Sequence, residues 1–204
     1  MVMDVQEDEV ARLRAGDAQA FRSLMERLQC PITGYLHRLV GEREVALDLA
    51  QDTFLQVYKE IGKTSSQLAL DAWIYRIATN FGLRYLNRKR RYHFLPFVFG
   101  SSSHEEEGIG IGHEDMVERS MVASSFEEQT ETGILIQEAF QRIAPKDAVC
   151  VQLHYGDGFT YEQISTIVKI SPEAVRKRVS RGVEKFRNVY AHDTASREGR
   201  HVKA

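Results

Sequence analysis

The residues best equipped to do chemistry lie between Trp73 and Tyr92. There Arg84, Arg88, Lys89, Arg90 and Arg91 stand among Trp73, Tyr75, Phe81, Tyr85 and Tyr92. The chemistry this combination suits is non-covalent: bases of a single strand stack on the rings while the cations neutralise phosphate. Across DAWIYRIATNFGLRYLNRKRR, Ile74, Ile77, Ala78, Phe81 and Tyr85 recur at spacings of three and four, which predicts an amphipathic helix over 71–91. Cations at its C-terminal end also suit the helix dipole. An aromatic stripe at helical spacing is equally what a packed core presents, so this stretch alone leaves both readings open.

A second basic cluster lies near the C-terminus and carries more specific local signals. Thr160 and Gln163 have the spacing of a capping box and open a short helix with Ile164, Ile167 and Val168 inward. Lys169 and Ile170 make a turn, Ser171 can cap the next helix, and Pro172 falls at its first position. That helix carries Val175, Val179, Val183, Phe186 and Tyr190 on one side. Arg176, Lys177, Arg178, Ser180, Arg181, Lys185 and Arg187 fill most of the rest. Two helices joined by such a turn, the second one basic, have the pattern of a helix-turn-helix whose second helix enters a major groove. An ordinary helical hairpin with a solvated charged face is the alternative.

The elements that must position these clusters read as helices throughout. Asp17 can cap a helix with Phe21, Leu24 and Leu28 inward. Pro31 suits the first turn of a second, whose stripe is Ile32, Tyr35, Leu36 and Leu39 and whose end is Gly41. Because almost no loop separates them, the two must bend sharply or run on as one kinked unit. A third helix is expected over 42–61, with Ala46, Leu49, Ala50, Thr53, Val57 and Ile61 inward. Its outer face gathers Asp48, Gln51, Asp52, Leu55, Gln56 and Lys59, an acidic and amidic surface with one leucine on it. Such a face is either solvated or a docking site for a basic partner helix. Further on, Ile136, Ala139, Phe140 and Ile143 form one stripe, and Pro145 starts a helix with Val149 and Leu153 inward that Gly156 and Gly158 break.

Between these halves, 95–133 loses periodicity, is rich in Gly and Ser, and sets many glutamates, Glu105 to Glu107 among them, against Arg119 alone. It reads as a flexible, self-repelling linker. His104 and His113 beside those glutamates suggest a metal or acid-base site, but a flexible segment offers no scaffold to preorganise one. No catalytic residue, metal or cofactor is therefore expected, and the chain does not read as an enzyme. The tail 191–204 is polar and expected to be disordered.

Composition sets the outer bounds. The chain has 204 residues, 43% hydrophobic and 27% charged, which fits a globular protein of one large or two small domains. No apolar run has the length of a membrane span, and the acidic start MVMDVQEDEV does not resemble a secretory signal, so a cytoplasmic location without membrane insertion is expected. Cys30 and Cys150 lack metal-ligand neighbours and read as buried free thiols. The net charge of -2 conceals a segregation of basic clusters from the acidic middle, and a nucleic-acid binder needs basic patches rather than a basic sum.

Taken in order, three segments resemble the extracytoplasmic-function group of bacterial RNA polymerase sigma factors. ALDLAQDTFLQVYKEI is similar to that family's polymerase-docking helix, AWIYRIATNFGLRYLNRKRR to its promoter-melting helix, and AFQRIAPKDAVCVQLHYGDGFTYEQISTIVKISPEAVRKRVSRGVEKFR to its minus-thirty-five-reading domain. The resemblance implies an all-α fold of two small helical domains joined by the acidic linker, the second a helix-turn-helix. The first would span 10–94, the linker 95–133 and the second 134–190.

It further implies that Asp48, Gln51, Asp52, Leu55 and Gln56 meet the clamp helices of the polymerase largest subunit, with the second domain near the flap. Asn80 would meet the single-stranded minus-ten element and Arg84, Arg88, Lys89, Arg90 and Arg91 the adjacent DNA. Arg176, Lys177, Arg178, Ser180 and Arg181 match recognition-helix positions, and an anti-sigma factor is an implied partner. Arg84 departs from the pattern, where the family often has an acid, and the linker is longer and more acidic than is common. A stand-alone helix-turn-helix regulator is the rival reading, but it would leave the face from Asp48 to Gln56 unexplained.

Overall fold

The computed structural model describes residues 2–63, 69–94 and 131–201, and these are helical with no strand among them. The helices are α1 (Val2–Arg14), α2 (Ala18–Val40), α3 (Arg43–Glu60), α4 (Leu70–Phe94), α5 (Glu131–Gln141), α6 (Pro145–Val151), α7 (Tyr161–Val168) and α8 (Pro172–His201). The stretch 95–130, most of the expected acidic linker, lies outside the described residues, and α5 begins inside the stretch assigned to it.

Capping residues set most boundaries. The Asp17 side chain accepts hydrogen bonds from the N–H groups of Gln19 (2.8 Å) and Ala20 (3.1 Å) at the start of α2, and Gly41 ends that helix in the left-handed conformation at φ 86°. Pro31 does not start a second helix. It lies inside α2, which runs on as one unit. Proline removes one backbone hydrogen bond there. The continuous buried stripe of Leu24, Leu28, Ile32, Tyr35, Leu36 and Leu39 holds both halves against the same core.

Two further expectations are corrected. The tail continues as helix to His201, because no proline follows Pro172 to stop α8. Cys30 is exposed rather than buried, since it falls on the side of α2 away from Leu28 and Ile32, whereas Cys150 is buried and both thiols are free.

In the first unit, α2, α3 and α4 pack face to face around Leu24, Ile32, Leu36, Val57 and Ile74, which are all but inaccessible. Phe54, which lies outside the expected stripe of α3, is buried there too. Tyr35 and Thr79 share a buried hydroxyl hydrogen bond of 2.8 Å that ties α2 to α4. In the second unit, α6 crosses α8 so closely that a Cβ on Gly182 would stand 2.5 Å from Val151 Cγ2 and 3.3 Å from the Asp147 carbonyl oxygen. Just before the crossing loop, α6 widens into a π turn at Gln152–Gly156.

The two units are not separate beads. Their buried residues form one continuous core, in which α4 lies against α6 and α7, and α2 against α5 and α6. Tyr75 is the central residue of this junction. Its ring meets Tyr35 edge-on at 5.4 Å and Phe159 edge-on at 4.9 Å, and its hydroxyl donates to Asp157 Oδ1 at 2.9 Å. Tyr75 is therefore core, only 5% exposed, and unavailable to stack on a base.

Candidate nucleic-acid and polymerase interface

The C-terminal half of α4 carries the first basic cluster into solvent. Arg84, Arg88, Lys89, Arg90 and Arg91 are exposed, as is Asn80 one helical turn before Arg84. The guanidinium of Arg84 sits 5.9 Å from the centre of the Phe81 ring, a cation-over-aromatic contact within the helix. Trp73, Phe81 and Tyr85 are half-buried, so each leaves part of a ring accessible; the side chain of Tyr92 lies outside the described residues. Lys89 is anchored: its Nζ lies 2.6 Å from Glu42 Oε1, which also accepts the Tyr85 hydroxyl at 2.9 Å. These two donors, Lys89 first, hold the Glu42 carboxyl below its ordinary value, and they tie the basic end of α4 to the corner between α2 and α3.

The second basic cluster has the geometry that the local signals predicted. Thr160 and Gln163 close a reciprocal capping box at 3.3 and 2.8 Å, Lys169 turns the chain in the left-handed conformation at φ 55°, and the Ser171 hydroxyl accepts from Ala174 N–H at 3.2 Å. Along α8, Arg176, Lys177, Ser180 and Arg181 are exposed, while Arg178 is half-buried and reaches toward Cys150. Arg181 is held by Asp147 at 3.1 Å and Lys177 by Glu173 at 2.8 Å, whereas Arg176 lies 5.8 Å from the centre of the Tyr161 ring.

Tyr161 and Tyr155 escaped the sequence reading. Tyr155 is 68% exposed, and the two rings flank His154, whose Nδ1–H donates to the Phe159 carbonyl at 2.9 Å. Both tyrosines line a groove with Arg176, Ser180 and Arg187. Tyr161 was legible as the first residue after the Thr160 cap, but Tyr155 carried no periodic signal.

On α3, Asp48, Gln51 and Asp52 are exposed and Leu55 and Gln56 half-buried, so the outer face exists as a surface. Partial burial, then the charge of Asp48, raises the Asp52 carboxyl above its ordinary value. A carboxylate whose charge is disfavoured in this way makes a face that gains from an approaching cation. Tyr58, 63% exposed, extends this face by one turn and packs edge-on against Phe21 at 5.2 Å.

Residues expected to act at two different places also meet. Asn80 and Arg76 from α4, with Lys146, Lys169 and Arg178 from the second unit, line one cleft of about 250 Å³ floored by Leu83, Val149, Ile167 and Ile170. Arg76, Lys146 and Lys169 lie outside both sequence clusters, and only the packing of the two units brings them together.

Comparison with known proteins accounts for this combination of elements. The Sigma-70 region 2 family matches residues 24–92 and the Sigma-70, region 4 family matches residues 134–186. Together they take in most of α2 through α4 and most of α5 through the first half of α8, and the chain belongs to the sigma-70 family of RNA polymerase sigma factors. Within it, the relatives are those of the extracytoplasmic-function group.

The chain is 26% identical to the ECF RNA polymerase sigma-E factor of Haemophilus influenzae over 88% of this chain and 92% of the relative. It is 29% identical to the sigma-E factor of Escherichia coli over 88% and 91%, and 24% identical to the ECF factor SigW of Bacillus subtilis over 87% and 92%. Its fold is similar to CnrH in complex with the cytosolic domain of CnrY, with a TM-score of 0.63 and 15% identity over 92% of this chain and 98% of that one. It is also similar to the sigma factor RpoE of Bartonella quintana in complex with the anti-sigma factor NepR, with a TM-score of 0.61 and 16% identity over 84% and 97%. The stand-alone regulator has no counterpart among these relatives. Among the described residues no helix is long and apolar enough to cross a membrane, and no group of metal-ligating side chains is assembled.

Proposed function

We propose that this chain acts in the bacterial cytoplasm as a promoter-specificity subunit and not as an enzyme, with its tasks divided among the three surfaces described. The α3 face of Asp48, Gln51, Asp52, Leu55 and Gln56 docks on the clamp helices of core RNA polymerase. Arg176, Lys177, Arg178, Ser180 and Arg181 read the minus-thirty-five duplex, where arginine or lysine meets guanine edges and the rest hold phosphates. Asn80 and the cations Arg84, Arg88, Lys89, Arg90 and Arg91 take the melted minus-ten strand. Melting needs no covalent step; it needs the open strand to bind better than the closed duplex.

The observation that carries this reading is that one chain bears an exposed basic, aromatic helix end, a capped helix-turn-helix and an acidic face on α3. The two similar structures are described as complexes with CnrY and with the anti-sigma factor NepR, which supports a partner of the same kind for this chain. The division of labour is tested by binding to purified core polymerase. Asp52→Ala with Leu55→Ala should weaken core binding at least about tenfold while leaving duplex binding by the second unit unchanged. Equal loss of both would refute the assignment.

A further inference from the structure

In a chain with 29 acidic and 27 basic residues, cations have carboxylates to pair with, as Arg27 does with Asp71, Lys89 with Glu42 and Arg181 with Asp147. The cleft between α4 and the second unit departs from this pattern. Arg76, Lys146, Lys169 and Arg178 line it, and no aspartate or glutamate does. Among the described residues none of these four takes part in an ion pair, and Asp147, the carboxylate next in sequence to Lys146, is taken by Arg181. Four like charges gathered around one space repel, and an anion that enters it relieves the repulsion.

The four cations come from four places. Arg76 lies on α4, Lys146 in the first turn of α6, Lys169 in the turn between α7 and α8, and Arg178 on α8. Lys146 and Lys169 are exposed and Arg76 and Arg178 half-buried, so two charges are open to solvent and two lie deeper. Lys169 holds the left-handed conformation at φ 55°, which glycine or asparagine adopts at lower cost. The turn does not need a lysine, and what lysine adds there is an ammonium beside the cleft.

This arrangement fits a compact ligand better than a duplex. The cations of the α4 end and of α8 are arrayed along helix surfaces, whereas these converge on a concavity of about 250 Å³ with an apolar floor. That volume is just under the range of about 300–1,000 Å³ typical of small-molecule sites, so the cleft takes the charged head of a ligand and leaves the rest outside. A monoanion would leave most of the repulsion in place. Phosphates in series match the set, because arginine takes their oxygens two at a time and lysine as a point charge. Exposed Asn80 adds an amide that both donates and accepts.

We propose that this cleft binds an oligophosphate group, two or more phosphates in series, carried by a nucleotide or free in solution. The site goes beyond the promoter-binding reading, in which Arg76, Lys146 and Lys169 have no part. A ligand held there by cations of both units also stabilises the folded chain by mass action.

The probe is sodium tripolyphosphate, titrated calorimetrically into the full chain at about 0.15 M salt, where exposed charges are screened beyond about 8 Å. The expected result is saturable binding with a single site per chain and a melting temperature that rises with the probe. Lys146→Gln with Lys169→Asn, the second of which tolerates the left-handed turn, should weaken binding at least about tenfold, and Lys146→Arg should retain it. Arg90→Ala with Arg91→Ala removes the same charge from the end of α4 and should change the affinity by less than about twofold. Equal weakening by the two double variants would overturn the site, because the probe would then be responding to the chain's cations at large. Absence of saturable binding would overturn it too, and a loss of DNA affinity in the Lys146 and Lys169 variant would then assign those cations to DNA. Adenosine triphosphate separates the two sources. Tighter binding than tripolyphosphate, brought down to the same level by Asn80→Ala, supports the site with a nucleotide in it, and equal affinity supports it with a free oligophosphate.

Discussion

Gln137 Nε2 stands 3.0 Å from His37 Nε2 and 3.2 Å from the Gly41 carbonyl oxygen. The carbonyl can only accept, so the amide nitrogen is the group that faces both, and His37 must accept at Nε2. The histidine is therefore neutral where the second unit joins the first. Burial lowers its pKa below the ordinary value of 6.5, and the charges of Arg38 and Arg43 add to this.

The sign of the resulting pH effect follows. A histidine whose pKa is depressed in the packed form favours that form while neutral, and the advantage is lost as pH falls below 6.5 through the depressed value. Asp157 acts in the opposite direction. Burial raises its carboxyl above 3.8 despite Arg38 and Tyr75, so packing gains as pH falls through the raised value toward 3.8. The distance between nitroxide labels on Cys30 and Asn188→Cys should therefore lengthen as pH falls from 7 to 5, and His37→Gln should abolish that change. A parent profile flat over this range would contradict the role of His37.

Glu42 restrains the basic end of α4 through Lys89 and Tyr85. Glu42→Gln should cost under about 1 kcal/mol of stability, because the pair is exposed. It should also release Lys89 to phosphate, steepening the salt dependence of single-strand binding by up to about one counterion. Melting curves and a salt titration check both.

The crossing of α6 and α8 tolerates no side chain at position 182. Gly182→Ala places a methyl 2.5 Å from Val151 Cγ2 and should destabilise the second unit by about 1–3 kcal/mol. Adding Val151→Ala should recover part of the loss in denaturant unfolding, because it removes the clashing methyl.

On the recognition helix, Arg176 and Arg181 should behave differently. Arg181 is tethered to Asp147 at the side of the helix, which suits a phosphate contact, and Arg181→Ala should weaken all duplexes about equally. Arg176 is exposed near the helix start, and Arg176→Ala should remove about 1–3 kcal/mol of discrimination at one base pair. Competition binding with single-position duplex variants separates the two.

What could be read from the sequence was local. The caps at Asp17, Gly41, Thr160 and Ser171 involve neighbours within a few residues, and each is present. The helix-turn-helix and the outer face of α3 were legible because periodicity alone assigns their faces. Which surfaces meet across the chain was not legible. Tyr75 and Asp157 are 82 residues apart, and nothing near either one signals the other. Tyr75 therefore read as a stacking aromatic when it is the centre of the junction. Pro31 misled for a related reason: its local preference for a helix start was overridden by the stripe that buries α2 on both sides of it. Arg76, Lys146 and Lys169 have no distinguishing context until packing places them in one cleft.

Whether this chain brings core RNA polymerase to promoters is decided by run-off transcription from a library of genomic fragments with purified core polymerase. Discrete new start sites are expected that require the protein and disappear when Asp52 and Leu55 are changed to alanine. No stimulation of transcription by a protein that still binds duplex DNA would contradict it.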